Sequence, residues 1–148
     1  MTATVRKVED NEFFTWLDLY VGYGDFYETP VTDEKALLVW SWITDPDNEL
    51  EAYFAVDEEG TPIGVAHVRE FVRPLDGSKG LYLDDLFVSP DARGAGAGTQ
   101  LLEFLRDSAR ERGLSVVRWI TAKDNESARK LYDAVAQKTK WVTYDLVP

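Results

Sequence analysis

Apolar and polar positions change period several times along this chain, and each change marks an element. Thr4-Val-Arg6 predicts a first strand and Phe13 to Val21 a first helix. Asp33 to Ile43 predicts a second helix, with Thr32 or Asp33 as its N-cap. Ala52 to Val56 and Pro62 to Phe71 are strand-like runs on either side of Asp57-Glu-Glu-Gly60, which predicts a hairpin. A strand over 81–88, a helix over 96–112 stopped by Gly113, a strand over 115–122 and a helix over 126–136 come next. A last strand is expected near Trp141 to Leu146. No internal repeat, low-complexity run or linker divides the chain, so one domain over residues 1–148 is expected.

The most informative junction lies after the 81–88 strand. Its apolar run passes through Pro90 into a turn holding Gly94, Gly96 and Gly98, which open a helix carrying Leu101, Leu102 and Leu105. Alternating glycines let a backbone approach a ligand closely, because no Cβ intervenes. Free N–H groups at a helix N-terminus, together with the helix dipole, suit a phosphate. A P-loop is excluded, since Thr99-Gln100 follows Gly98 where that motif needs Lys-Ser/Thr. The dinucleotide fingerprint fits poorly as well: its third glycine position is Thr99, and the next strand ends in Thr121-Ala122 rather than in an acid.

Arg93, Gly96 and Gly98 instead resemble motif A of the GNAT superfamily of acetyl-CoA-dependent N-acetyltransferases, written Gln/Arg-x-x-Gly-x-Gly/Ala. Asn125 and Leu131-Tyr132 match its motif B at the expected distance. The order of strands and helices is also that of the superfamily. The block Leu81-Tyr-Leu-Asp-Asp-Leu-Phe-Val88 most resembles the branch that acetylates polyamines and related small amines. One departure is visible, because Ala136 stands where the family usually has glycine. The resemblance implies an α/β (α+β) fold: a mixed, mostly antiparallel sheet flanked by helices, with a splayed parallel pair at 81–88 and 115–122. It further implies an acetyl-CoA-dependent enzyme, the rival being a non-catalytic module that merely binds CoA.

The same resemblance implies the site residues. Leu86, Phe87 and Val88 would pair through their backbone with pantetheine, with the Leu86 amide donating to the thioester oxygen. Backbone amides of Arg93, Gly94, Ala95, Gly96, Ala97, Gly98 and Thr99 would take the pyrophosphate. Asn125 would cap its helix and bind the cofactor arm. Tyr132 would be the general acid, since a positioned phenol can protonate a departing thiolate. The competing role for Tyr132 is packing beside Ala128, Leu131 and Val135. Tyr27 and Glu28, in a loop that borders the acceptor site in this fold, are candidate substrate contacts, whereas Trp16 and Tyr20 stand four apart and read as core.

Asp84 and Asp85 are two adjacent acids inside an apolar strand, a costly arrangement unless they face water or a partner. Alternation would put only one of them in a cleft, unless a bulge re-aims the other. Either could order the water that takes the amine proton or hold the ammonium, and Asp84 matches the acidic position of polyamine acetyltransferases. The alternative is a salt bridge to Arg69, Arg73 or Arg118. His67, the only histidine, is a possible base but reads better as a satisfied structural residue. No His or Cys spacing suggests a metal site.

Charge sharpens the acceptor. Net charge is −11, which argues against nucleic acid as a partner. Residues 1–90 hold six Lys/Arg and nineteen Asp/Glu, giving −13, while residues 91–148 hold ten and eight, giving +2. The acidic part suits a small cationic amine such as a polyamine, diamine or lysine-like molecule, with a protein amine or an aminoglycoside as alternatives. No apolar run is long enough for a membrane span, and no signal segment opens the chain, which points to the cytoplasm. There is no cysteine, hence neither disulfide nor thiol nucleophile. The apolar terminal strand is expected to be an open edge that pairs two copies into a homodimer.

Overall fold

The computed structural model describes residues 3–92 and 94–148. Its elements in chain order are β1 (Thr4–Lys7), α1 (Phe13–Phe26), α2 (Asp33–Thr44), β2 (Glu51–Val56), β3 (Pro62–Arg73), β4 (Ser78–Val88), α3 (Ala97–Glu111), β5 (Val117–Arg118) and α4 (Glu126–Val135), with one 3-10 turn at Pro90–Ala92. The strands form a mixed sheet ordered β1-β2-β3-β4-β5, antiparallel except for the parallel β4–β5 pair. This is the expected α/β architecture.

Both sheet faces are buried, which explains the unbroken apolar run of β2. Alternation deals side chains to two cores. Tyr53, Ala55, Ala66, Leu81 and Leu83 pack with Leu101, Leu102 and Leu105 of α3 on one face. Phe54, Val65 and Phe87 pack with Trp16 and Leu19 of α1 and Ala36 of α2 on the other. Thr32 caps α2 through its side chain, accepting from the Lys35 N–H at 3.1 Å.

Several elements differ from expectation, among them the strand expected over 115–122, which is formed only at Val117–Arg118. Helix α1 runs on to Phe26, beyond the end expected at Val21. Gly24 permits this: a Cβ there would stand 2.6 Å from the Thr29 carbonyl oxygen, where the chain turns back to α2. Strands β3 and β4 extend beyond their apolar cores as a long hairpin closed by Pro74-Leu-Asp-Gly77, with Gly77 at φ +65°. Finally, the expected strand at Trp141 to Leu146 is not formed; residues 137–148 make no ladder and are exposed. An apolar alternating segment becomes a strand only when an edge is offered to it, and within the single chain β5 supplies just Val117 and Arg118.

Candidate active site

Strands β4 and β5 part company early. Their register holds only at Leu81–Val117 and Tyr82–Arg118, so from Leu83 to Val88 nothing in β5 pairs with β4. This is the splay expected between 81–88 and 115–122. It leaves Leu86 and Val88 half-buried at the opening, while Phe87 turns into the opposite core, where its ring lies against Gly22 of α1.

Beyond β4 the chain enters the glycine turn. Gly94 and Gly96 have φ of +96° and +75°, a left-handed backbone that other residues adopt only with strain. A Cβ at either would meet nothing within 4 Å, so their faces are open. Gly96 sits at the N-cap of α3, whose ladder begins with Gln100 N–H to the Gly96 carbonyl at 2.9 Å. The amides of Ala97, Gly98 and Thr99 precede that ladder, which gives the helix an anion-seeking end. Ala95 and Ala97 are buried beneath the turn. Gly98 has a packing duty: its Cβ would stand 3.3 Å from Leu131, so it sets how closely α4 approaches α3. Arg93 lies outside the described residues.

On the opposite face, a bulge does what the two acids require. His67 pairs with Asp85 and Val68 with Leu83, leaving Asp84 as the extra residue. Leu81 and Leu83 face the α3 core, and after the bulge Phe87 faces the α1–α2 core. In unbroken alternation, without the bulge, Asp85 would continue the Leu81–Leu83 face into the α3 core. With it, both acids line one cavity of about 490 Å³ with Tyr20, Trp42, Glu49, His67 and Arg69.

The two acids nevertheless have different partners. Asp84 accepts from both Arg69 Nε and Nη2, at 2.9 and 3.2 Å, in a pair that is 29% and 43% exposed. This is one of the salt bridges the sequence offers as an alternative. Asp85 is the more enclosed and accepts from His67 Nδ1 at 2.8 Å. The Tyr23 hydroxyl lies within electrostatic reach of it. Burial pushes the Asp85 carboxyl up, but the hydrogen bond from His67, and after it the Tyr23 hydroxyl, outweigh it and hold it below the usual carboxylate range. His67 is buried, as expected of a structural histidine, and both of its nitrogens are satisfied. Trp16 is core as expected; Tyr20 stacks on it at 4.7 Å and also lines the cavity. Sequence reasoning misses Tyr23 as a site residue. Its signal is a position three residues from Tyr20, on a helix longer than the apolar pattern predicts.

Tyr132 comes from α4, where its ring meets Trp119 edge-on at 5.2 Å. Burial, and then the neighbouring Tyr27, push its phenol above the ordinary value, so it keeps its proton. Tyr27 and Glu28 lie just past α1, both exposed, with Tyr27 edge-on to Tyr23 at 5.1 Å and Glu28 at φ 54°. Tyr23 is within electrostatic reach of Asp85, Tyr27 and Tyr132, so these four residues share one neighbourhood. Asn125 stands at the N-cap of α4, yet its side chain does not cap. Its Nδ2 instead donates to Thr121 Oγ1 at 3.3 Å, which ties the helix start to the end of the preceding segment. The stripe on α4 is only half-buried: Leu131, Tyr132 and Val135 pack against the α3 core, and no residue of the helix is fully enclosed. Among the described residues no group of three His, Cys, Asp or Glu is placed to hold a metal.

Residues 13–135 match the profile of the Acetyltransferase (GNAT) family, and the chain belongs to that family. It is an N-acetyltransferase. Among its relatives is a D-amino-acid N-acetyltransferase, HPA3, of Saccharomyces cerevisiae, 33% identical over 141 residues, covering 95% of this chain and 88% of the relative. The fold matches a ribosomal-protein-alanine N-acetyltransferase from Brucella melitensis biovar Abortus 2308 with TM-score 0.84, at 22% identity and 99% coverage of both chains. It also matches AAC(6')-Iy in complex with the bisubstrate analogue CoA-S-monomethyl-acetylneamine, with TM-score 0.83, at 20% identity over 100% of this chain and 99% of the other. The residues present fit acetyl-CoA, the donor of this family: open left-handed glycines precede a helix N-terminus, and an unpaired stretch of β4 adjoins them.

Proposed function

We propose that this chain transfers the acetyl group of acetyl-CoA to the primary amine of a small cationic acceptor, by direct attack with both substrates bound. The observation that carries the acceptor class is the cavity beside the β4 bulge. It presents Asp84, Asp85 and Glu49 with the rings of Tyr20 and Trp42, and its one cation among the described residues, Arg69, is already paired. Acids attract an ammonium electrostatically, and aromatic faces add cation–π attraction. Tyr27 and Glu28 stand at the outer end of the same neighbourhood and would extend the acceptor contacts.

In this reading the amine nitrogen attacks the acetyl carbonyl and the carbon–sulfur bond breaks. The amine proton leaves to water ordered at Asp85, with Asp84 behind it, and Tyr132 gives its proton to the departing thiolate. The Leu86 amide would donate to the carbonyl oxygen. Leu86 to Val88 would hold the pantetheine arm, Gly94 to Thr99 with Arg93 the pyrophosphate, and Asn125 the arm near α4. Asp85 rather than Asp84 stands nearest the chemistry, because Asp84 is committed to Arg69. An acetyl-CoA-dependent reaction also suits the cytoplasm, where acetyl-CoA is available.

A second acceptor class rests on Arg69. An amino acid carries a carboxylate beside its amine, and Arg69 is the group in the cavity able to hold one if Asp84 yields it. The yeast relative, named for D-amino acids, makes this the first alternative to test.

We further infer that two copies associate through residues 141–147. Trp141, Tyr144 and Leu146 are 73%, 89% and 97% exposed on a segment outside any ladder, and Trp141 and Thr143 line the same cavity as Val117 and Arg118 of the short edge strand β5. An apolar segment of strand-like alternation next to an open edge is what strand pairing with a second copy consumes.

The decisive experiment is an acceptor panel read by release of the CoA thiol: polyamines, diamines, lysine, D- and L-amino acids, an aminoglycoside and an N-terminal peptide. The highest kcat/KM is expected for an acceptor with net positive charge. An equal or higher value for neutral or acidic amines removes the electrostatic basis of the proposal.

A further inference from the structure

The single histidine of this chain is enclosed, 2% exposed, and sits between two partners of fixed character. On one side the indole Nε1 of Trp16, itself wholly buried, lies 2.9 Å from His67 Nε2. On the other, Oδ2 of Asp85 lies 2.8 Å from His67 Nδ1. An indole N–H can only donate, so Nε2 must present a lone pair. An ionised carboxylate can only accept, so Nδ1 must carry the hydrogen. An imidazolium would press two hydrogens together between His67 and Trp16. The arrangement therefore admits one protonation state, the neutral Nδ1–H tautomer.

We propose that Trp16 and His67 are positioning residues for acetyl transfer: the indole fixes the tautomer of His67, and His67 Nδ1–H fixes the carboxylate of Asp85 toward the acceptor. A carboxylate offers about four acceptor directions. His67 occupies one of them, from the sheet, and the Tyr23 hydroxyl approaches from α1. The others remain for an ammonium or an ordered water in the cavity. The charged and titratable groups facing this point are Tyr20 and Tyr23 from α1, Glu49 from the segment before β2, and Asp84 and Arg69 from the sheet, the last two paired with each other. Arg69 is thereby held by Asp84, leaving the hydrogen bond from His67 to orient Asp85. The inference rests on the reading that Asp85 serves the acceptor amine.

The test has a structural arm and a kinetic arm. Uniform ¹⁵N-histidine labelling of the intact protein gives one imidazole pair, and at pH 8 the Nδ1 resonance should be the protonated one. A protonated Nε2 overturns the proposal outright. Trp16→Phe keeps an aromatic ring but removes the donor. It should admit the Nε2–H tautomer, lower kcat for the amine about three- to tenfold, the worth of one buried hydrogen bond, and shift the low-pH limb of kcat/KM. The KM for acetyl-CoA should not move. His67→Asn, which can keep an N–H toward Asp85, should retain more activity than His67→Leu at matched thermal stability. Wild-type kcat and pH profile in Trp16→Phe or in folded His67→Leu would show a purely structural pair, which overturns the proposal. If instead Asp85→Asn leaves amine kinetics intact while the tautomer is as stated, it is the assignment of Asp85 to the acceptor that fails.

Discussion

Strand β4 treats its two neighbours differently. Toward β3 it is paired along its length, from Val88 opposite Gly64 to Ser78 opposite Arg73, and the side chains on that half of the molecule close over two cores. Toward β5 it is paired at two residues, and the chain beyond β5 is loosely held: α4 encloses no side chain, and the segment after it is exposed throughout. The first region is finished by folding alone. The second has apolar surface left over, and such surface is where ligands and partner chains are recruited. A sheet that stays open between two parallel strands offers an extended ligand the backbone partners that a further strand would have used.

The comparison can be broken most directly through Tyr132. Tyr132→Phe removes one hydroxyl and little packing from the looser region, and kcat should fall about 10²–10⁴-fold with kcat/KM falling alongside it. Acetyl-CoA affinity, read by calorimetry, should change little. A variant with wild-type kcat at neutral pH makes Tyr132 a packing residue.

The next largest effect concerns order. At acetyl-CoA concentrations about a hundredfold above Kd, the complex should gain about 2.7 kcal/mol. Amide hydrogen exchange should show added protection concentrated in the glycine turn and in residues 114–136, with β2 and β3 almost unchanged. Protection spread evenly over the sheet would erase the distinction between the regions.

Substitution of the exposed segment should act on assembly. Trp141→Ser with Tyr144→Ser should shift the sedimenting mass from twice the chain mass toward 16.8 kDa. Wild-type protein that already sediments at the single-chain mass at micromolar concentration contradicts the proposed pairing. The smallest effect is expected at Asp84. Its pair with Arg69 is partly exposed, so Asp84→Asn should change KM for a cationic amine by no more than about fivefold. A loss as large as that of Tyr132→Phe would restore Asp84 as the primary acid.

The sequence is most legible where local chemistry and packing agree. Thr32 marks the start of α2, Gly113 the end of α3 and the glycine turn the head of α3, because caps and left-handed positions are decided within a few residues. The adjacent acids announce a bulge, since alternation cannot place both. The hidden parts depend on distant neighbours. Nothing near Tyr23 says that it reaches Asp85, or that Trp16 meets His67 across 51 positions of chain. The length of α1 is also obscured. Gly22 and Gly24 look like helix breakers, and only the ring of Phe87 and the Thr29 carbonyl show why small residues stand there. Trp141 to Leu146 has the pattern of a strand but lacks a neighbour of its own to complete it.

The bulge at Asp84 also has a meaning for sequence change. Strand β4 runs in two phases, and the extra residue is the joint between them. Deleting one residue between Leu83 and Leu86 would restore regular pairing with β3 and leave the faces downstream as they are, because Leu86 already stands opposite Ala66 and Phe87 opposite Val65. One acid would be lost from the cavity, while Phe87 would keep the seat beside Gly22 that was shaped for it. A one-residue length change is thus local at the bulge, whereas the same change within the regular ladder on either side of it would exchange the faces beyond. In comparisons among relatives, the count of residues between Leu83 and Leu86 should tell whether one acid or two line the cavity.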